Sequence, residues 1–167
     1  MIKKIFKFLI SLLSEIYIFE SKSNKKKIKY RNFYLKKYKS LKQIKSPGVI
    51  NHLNDNHRYL RFKKKQILFV LFHKKQAVSL GWMNKGSRWF ITEINRTINI
   101  SNTTILYDFF TFPKLRNKGY YIKILKLIKN IKIKNSFLIY TLNNNEKSKK
   151  GIIKAKFVLI GKMKRFS

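Results

Sequence analysis

One stretch of this chain leaves little freedom in how it can fold. Thr104–Phe110 is rich in β-branched and aromatic residues, Asn117–Lys129 places Tyr121, Ile124, Leu125 and Ile128 on one helical face, and Phe137–Leu142 is strand-like again. Two strands joined through a helix over connections this short pair in parallel, by a right-handed crossover. Before this unit, Gln66–Phe72 and Ala77–Met83 flank the turn His73–Gln76 and predict a hairpin. Beyond the turn Asn84–Ser87, Trp89–Asn95 and Thr97–Ile100 are expected to extend the antiparallel meander, and Gly81 to mark a bulge. After the crossover come a helix over Asn144–Ala155, capped by its Asn run, and a closing strand over Phe157–Met163. The expectation is an α+β single-domain mixed sheet: antiparallel strands, then a βαβ unit.

Such a sheet needs a core, and the chain supplies one. Of its 167 residues 44% are hydrophobic and 15% aromatic, which argues against wholesale disorder despite a formal charge of +34. That charge comes from 40 basic residues set against 6 acids, and only Arg31, Arg58, Arg61, Arg88, Arg96, Arg116 and Arg165 are arginines. Readers of nucleic acid favour the bidentate arginine fork, so a lysine excess spread over every segment reads as a solvated surface on a chain rich in A/T-coded residues. Binding to nucleic acid or to an anionic membrane stays as the alternative reading, that of a non-catalytic basic protein. Cysteine is absent, which excludes disulfides, thiolate metal sites and a cysteine nucleophile. His52 and His57 are five residues apart, off register for one helical face, so no metal site is expected.

The N-terminal region differs in texture. Ile2, Ile5, Phe6, Leu9, Leu12, Leu13 and Ile16 recur at helical spacing among lysines, predicting an amphipathic helix over residues 1–20. Lys7 and Glu15 interrupt the apolar run and no small-residue cleavage site follows, so it reads as neither a signal peptide nor a membrane span. Its apolar face packs on the domain or lies on an anionic membrane; the expectation is a cytoplasmic protein, to which the second alternative adds peripheral membrane contact through residues 1–20. Ser21–Ser46 is a lysine run interleaved with aromatics, either an electrostatic funnel with stacking rings or, the commoner case, a short strand around Ile28–Tyr30 followed by a helix. Pro47-Gly48 is the sharpest break, dividing residues 1–46 from residues 47–167, and Asn51–Lys64 is expected to be helical.

In mixed sheets a ligand tends to sit at the carboxyl ends of parallel strands, beside the following helix. Here that place is Pro113–Tyr121, where a loop entering a helix presents backbone N–H groups at the positive end of its dipole. Gly119 allows close approach of an anion, and Arg116 adds charge.

The run Tyr107-Asp108-Phe109-Phe110-Thr111, then Pro113, then Arg116-Asn117-Lys118-Gly119-Tyr120-Tyr121, resembles the acyl-coenzyme A motif of the GNAT superfamily of N-acetyltransferases. Asn145, Ser148, Ile152 and Phe157 fall where that family commonly has its second group of motif residues, and the hairpins before Thr104 match in order. The form of the motif looks most like GNAT-type proteins of bacterial surface-polysaccharide synthesis. The resemblance implies residues 47–167 as an acyl-CoA-binding core with splayed parallel strands. Acetyl-CoA would be the acyl donor, and an amine on a small molecule or amino sugar the acceptor. Backbone groups of Phe109, Phe110 and Thr111 would contact the pantetheine and the thioester. Arg116, Asn117, Lys118, Gly119, Tyr120 and Tyr121 would hold the pyrophosphate, with Asn145 and Ser148 on the other side.

The sequence also departs from the pattern. Tyr121 stands at the usual small residue, fitting either a core aromatic or a cofactor contact; Ile152 replaces the usual tyrosine acid; Lys156 replaces a glycine. The chain also ends at Ser167, soon after its closing strand, so the family's final hairpin partner is expected to be short or missing. Among so few acids, Glu93 and Asp108 are the candidates to accept the amine proton, each alternatively a plain ion-pair partner.

Overall fold

The strand-helix-strand unit forms as its pattern dictates, and the rest of the molecule is arranged around it. The computed structural model describes residues 14–101, 103–133 and 136–165. Its strands are β1 (Glu15–Ser21), β2 (Phe33–Tyr38), β3 (Ile67–His73), β4 (Gln76–Asn84), β5 (Arg88–Ile91), β6 (Arg96–Asn99), β7 (Thr103–Thr111), β8 (Ser136–Leu142) and β9 (Val158–Lys164). The α-helices among the described residues are α1 (Pro47–Asn54), α2 (Tyr120–Ile128) and α3 (Glu146–Lys154). Seven strands make one mixed sheet in the order β2-β3-β4-β7-β8-β1-β9, with β5 and β6 as a separate two-stranded ribbon. Only β7 and β8 run parallel, as the crossover requires.

The two faces of the sheet bury different things. On one, α2 and α3 set Ile124, Leu125, Ile128 and Ile152 against Phe69, Leu71, Met83, Leu106, Phe137 and Ile139. On the other, α1 lays Val49 and Leu53 on Leu68, Val70, Leu80 and Trp82. Further along that second face, the β5–β6 ribbon packs Trp89, Ile91, Ile94 and Ile98 over β1, β7 and β8.

Caps explain the helix ends. Pro47 opens α1, where a missing N–H costs nothing. Asn145 Oδ1 accepts from the Ser148 N–H at 3.0 Å to open α3. The buried Lys129 Nζ donates to the carbonyls of Ala155 and Lys156 at 3.2 and 3.0 Å, closing α3 from the end of α2.

Several expectations need correction. The helix predicted over residues 1–20 is a strand over Glu15–Ser21; residues 1–13 lie outside the described residues. Ile16 and Ile18 face the ribbon while Tyr17 and Phe19 face the helices, so a strand buried on both sides mimicked helical spacing. β1 pairs antiparallel with both β8 and β9, so the slot beside the closing strand is filled from the N-terminal region. Ile28–Tyr30 is not a strand, and the helix expected after it is β2, whose Phe33 and Leu35 face one way and Tyr34 and Tyr38 the other. Strands from both sides of the Pro47 break thus share one sheet. The ribbon β5–β6 does not extend the meander, because β4 pairs directly with β7. The helix expected over Asn51–Lys64 is α1 followed by a 3-10 segment, Asp55–Phe62, since Asn56 and His57 take φ of 58° and 55° and break the α-helical ladder.

Candidate active site

β7 and β8 are partners for only part of their length. Thr103–Leu106 pair with Ser136–Ile139, and there the ladder stops, although β7 continues along β4 to Thr111 and β8 continues along β1 to Leu142. The backbone of Tyr107–Thr111 therefore has no strand partner on the β8 side. The parting coincides with a bulge. Leu80 pairs with Phe110 and Trp82 with Tyr107, so Asp108 and Phe109 together oppose Gly81. Asp108 takes a left-handed φ of 47° to make room. The sequence placed a bulge at Gly81; the extra residue is on the opposite strand.

Gly81 is needed there because the Phe109 ring lies over it. A Cβ at Gly81 would sit 2.2 Å from Phe109 Cε1. The same ring meets Tyr121 edge-on, centroids 5.5 Å apart, and Tyr121 in turn occupies the space a Cβ of Gly151 would need, at 2.6 Å. The Tyr121 hydroxyl is 3.3 Å from Ser148 Oγ, and burial pushes its pKa up to about 12. Ile152, where the resemblance places a tyrosine acid, is fully buried in the core; the phenol between α2 and α3 comes from Tyr121 instead.

The loop from β7 to α2 holds Asn117 at φ 63° and Gly119 at φ 72°. The helix expected from Asn117 therefore begins at Tyr120, and no side chain caps it. Its first N–H groups point outward at the positive end of the dipole, with the Lys118 side chain exposed beside them. Arg116 does not lie across this helix end. Its Nε donates to the Thr111 carbonyl at 3.3 Å, and the guanidinium sits 6.0 Å from the Phe110 ring centre. Tyr120 turns inward, its hydroxyl 3.4 Å from His73 Nδ1. Asn145 spends its side-chain oxygen on the α3 cap.

On the opposite face, the parted strands carry a polar group of residues. The Tyr140 hydroxyl donates to Glu93 Oε2 at 3.4 Å; burial pushes this phenol up to about 12, with the charge of Glu93 adding to the shift and Asp108 contributing less. Of the two acids nominated from sequence, Glu93 is the one in contact with this hydroxyl. Asp108 Oδ2 also accepts from Arg58 Nε at 3.3 Å and Arg61 Nη1 at 2.5 Å, tying the 3-10 segment to the bulge. Tyr107 donates to Gln66 Oε1, stacks obliquely on Trp89 and is raised in pKa mainly by burial.

One member of this group was not nominated from sequence. His52 stacks on Phe110 with centroids 4.1 Å apart, and its Nε2 is buried without a hydrogen-bond partner among the described residues. Burial, then the charge of Arg58, lowers its pKa, so the ring is neutral at neutral pH. Only the spacing to His57 was a signal in the sequence, and that spacing bears on metals. Among the described residues no group of ligands could hold a metal ion, and no helix is long and apolar enough to cross a membrane.

No protein-family model and no curated protein matches the chain. Solved structures do share its fold. A conserved protein of unknown function from Staphylococcus epidermidis superposes with a TM-score of 0.57 at 9% identity, over 89% of this chain and 59% of that one. A GNAT-family acetyltransferase from Colwellia psychrerythraea gives 0.53 at 16% identity, over 87% of this chain and 53% of that one. A GNAT-family protein from Novosphingobium aromaticivorans gives 0.56 at 7% identity, over 90% of this chain and 61% of that one. The chain therefore spans between about half and three-fifths of the length of these relatives, and it has the GNAT fold.

Proposed function

We propose that this chain is an acyl-coenzyme A dependent N-acyltransferase that moves an acetyl group from acetyl-CoA to a primary amine. The observation that carries the reading is the parting of β7 and β8 after Leu106 and Ile139, beside a helix N-terminus left uncapped behind a left-handed Gly119. An open strand edge suits the amide-rich pantetheine arm, and the outward N–H groups of α2 suit its pyrophosphate. The residues present fit the donor on those two counts. Lys118 to Tyr121 would hold the pyrophosphate through backbone N–H groups, with Asn117 shaping the turn. Arg116 has its side chain engaged at Thr111, and it would reach the anion only by exchanging that contact.

The unpaired backbone of Phe109, Phe110 and Thr111 would orient the thioester and donate to its carbonyl oxygen as charge develops there. Glu93 is the proposed acceptor of the amine proton, because among the described residues its carboxylate is engaged only by Tyr140, whereas Asp108 is held by two arginines. Asp108 would position the amine and steady the arginines, and it is the second candidate for the proton. Tyr121 would stabilise the departing thiolate. Its pKa of about 12 lies above the ordinary thiol value of about 8.5, so it donates a hydrogen bond and keeps its proton. Asn145 and Ser148 would flank the donor from α3, Ser148 through its contact with Tyr121. An amino sugar suits the polar acceptor side, and a cytoplasmic setting follows from the use of acetyl-CoA.

Titration calorimetry of the full chain with acetyl-CoA tests the reading. Binding in the range of about 1 μM to 1 mM is expected; a folded sample that takes up no acetyl-CoA overturns it. Given binding, Glu93→Gln should cut kcat/KM for thiol release with an amino sugar by about 10²- to 10⁴-fold while leaving acetyl-CoA affinity alone.

A further inference from the structure

A second opening, on the α1 face, lies apart from the residues assigned above to the acyl donor, although its wall at Leu115 adjoins Arg116. It is a cleft of about 920 Å³ between β2, the start of α1, the β3–β4 turn and the turn Pro113–Leu115. Its floor is aromatic. Tyr34 and Phe72 lie ring on ring, 5.1 Å apart and within 3° of parallel, and Phe112 lines the same space. Phe72 is buried, while Tyr34 remains 39% exposed and lines the cleft. The charge at the cleft has one sign. Lys36, Lys45, Lys75 and Lys114 line it, and no aspartate or glutamate does. Lys36 Nζ lies over both rings, 5.8 and 5.6 Å from the Tyr34 and Phe72 ring centres.

A flat π-surface ringed by point cations and free of carboxylates selects a ligand that is planar at one end and multiply anionic at the other. A simple inorganic anion would leave the aromatic floor exposed, and an apolar ligand would strand four ammonium groups. The cleft's volume of about 920 Å³ falls in the range of small-molecule sites. We infer that this cleft binds a nucleoside diphosphate, its base on Tyr34 and its phosphates among Lys45, Lys75 and Lys114, at a site separate from the acyl donor. The ligand is either a free nucleotide or the nucleotide end of a larger carrier, such as an activated sugar. The inference does not rest on the acyltransferase reading, and it can hold if that reading fails.

Calorimetry on the full chain separates the sources. UDP and ADP should bind, with uridine and pyrophosphate each at least about tenfold weaker, since each lacks one half of the recognised chemistry. UDP-N-acetylglucosamine binding as well as UDP assigns the site to a sugar carrier; binding of UDP alone assigns it to the free nucleotide. Tyr34→Ala should weaken UDP by about tenfold or more through loss of the stack. The paired change Lys75→Ala and Lys114→Ala should weaken UDP and flatten its salt dependence. Lys150→Ala, on exposed α3, should change neither. If Tyr34→Ala proves misfolded by circular dichroism, the lysine pair still decides. Three results would overturn the assignment. They are no uptake of UDP or ADP by the folded chain, pyrophosphate binding as tightly as UDP, and a short oligonucleotide binding more tightly than UDP with Tyr34→Ala having no effect.

Discussion

The two halves of β7 are one strand in sequence and two materials in the structure. Through Leu106 the strand is paired to β8, with Ile105 and Leu106 paired to β4 as well, and Thr104, Ile105 and Leu106 are buried. From Tyr107 it keeps only β4, carries a two-against-one bulge, and has a left-handed aspartate in its middle. A non-glycine residue held at positive φ costs about 1–3 kcal/mol, so something must hold it there, and the Phe109 ring over Gly81 and the two arginines on Asp108 are what the structure offers. One inserted residue thus converts a core strand into an open edge. The first half supplies rigidity, and the second supplies unsatisfied backbone and charge.

Cutting into each half should give opposite signatures. Leu106→Ala removes a fully buried side chain from the paired half, and should lower unfolding free energy by about 2–5 kcal/mol in denaturant titrations. The folded fraction should bind acetyl-CoA as before; a lost affinity would mean the halves are not separable. Gly81→Ala attacks the bulge itself. Its methyl group would overlap Phe109, so a loss of about 1–3 kcal/mol is expected, accompanied by weaker acetyl-CoA binding as the ring is driven toward Tyr121. Unchanged binding in a stable Gly81→Ala protein would show that the splayed half does not hold the donor.

The paired half was legible in the sequence, and most of the splayed half was not. Strand, helix and strand over Thr103–Leu142 follow from alternation and periodicity, which report local geometry. Position in the sheet is set by long-range pairing that no local pattern encodes. Hence β1 was read as a helix, because burial on both faces erased its alternation, and β5–β6 was assigned to a sheet it only packs against. Glu93 and Asp108 were singled out by scarcity of acids; Glu93 accepts from Tyr140, whereas Asp108 is engaged by Arg58 and Arg61. His52 was missed for the opposite reason: its partner is Phe110, 58 residues on by sequence number, and nothing around His52 announces a stack. Tyr121 sat in plain view as a departure from a motif, but that it fills the space against Gly151 is a fact of helix packing.

Gly119→Ala probes where the splayed half hands over to α2. The position has φ 72° and open space around its would-be Cβ, with only Lys123 Nζ at 3.6 Å, so the cost is conformational, about 1 kcal/mol. Acetyl-CoA affinity should fall by more than that stability loss explains, because the added methyl group stands where the pyrophosphate would approach.

The smallest effect expected is also the most discriminating. Asp108→Asn keeps a residue that tolerates the left-handed conformation and removes only the charge that Arg58 and Arg61 share. The Asp108 side chain is 31% exposed, so the ion pairs are screened, and stability should change by about 0.2–1 kcal/mol, less in high salt. Activity is then read against a protein that is otherwise intact. If Asp108 only positions, kcat should fall modestly and the effect should shrink at high salt, as the wild-type pairs weaken. If it takes the amine proton in place of Glu93, the rate should fall by about 10²-fold or more at every ionic strength. The salt series therefore separates a bulge that exists to orient arginines from one that exists to present a base.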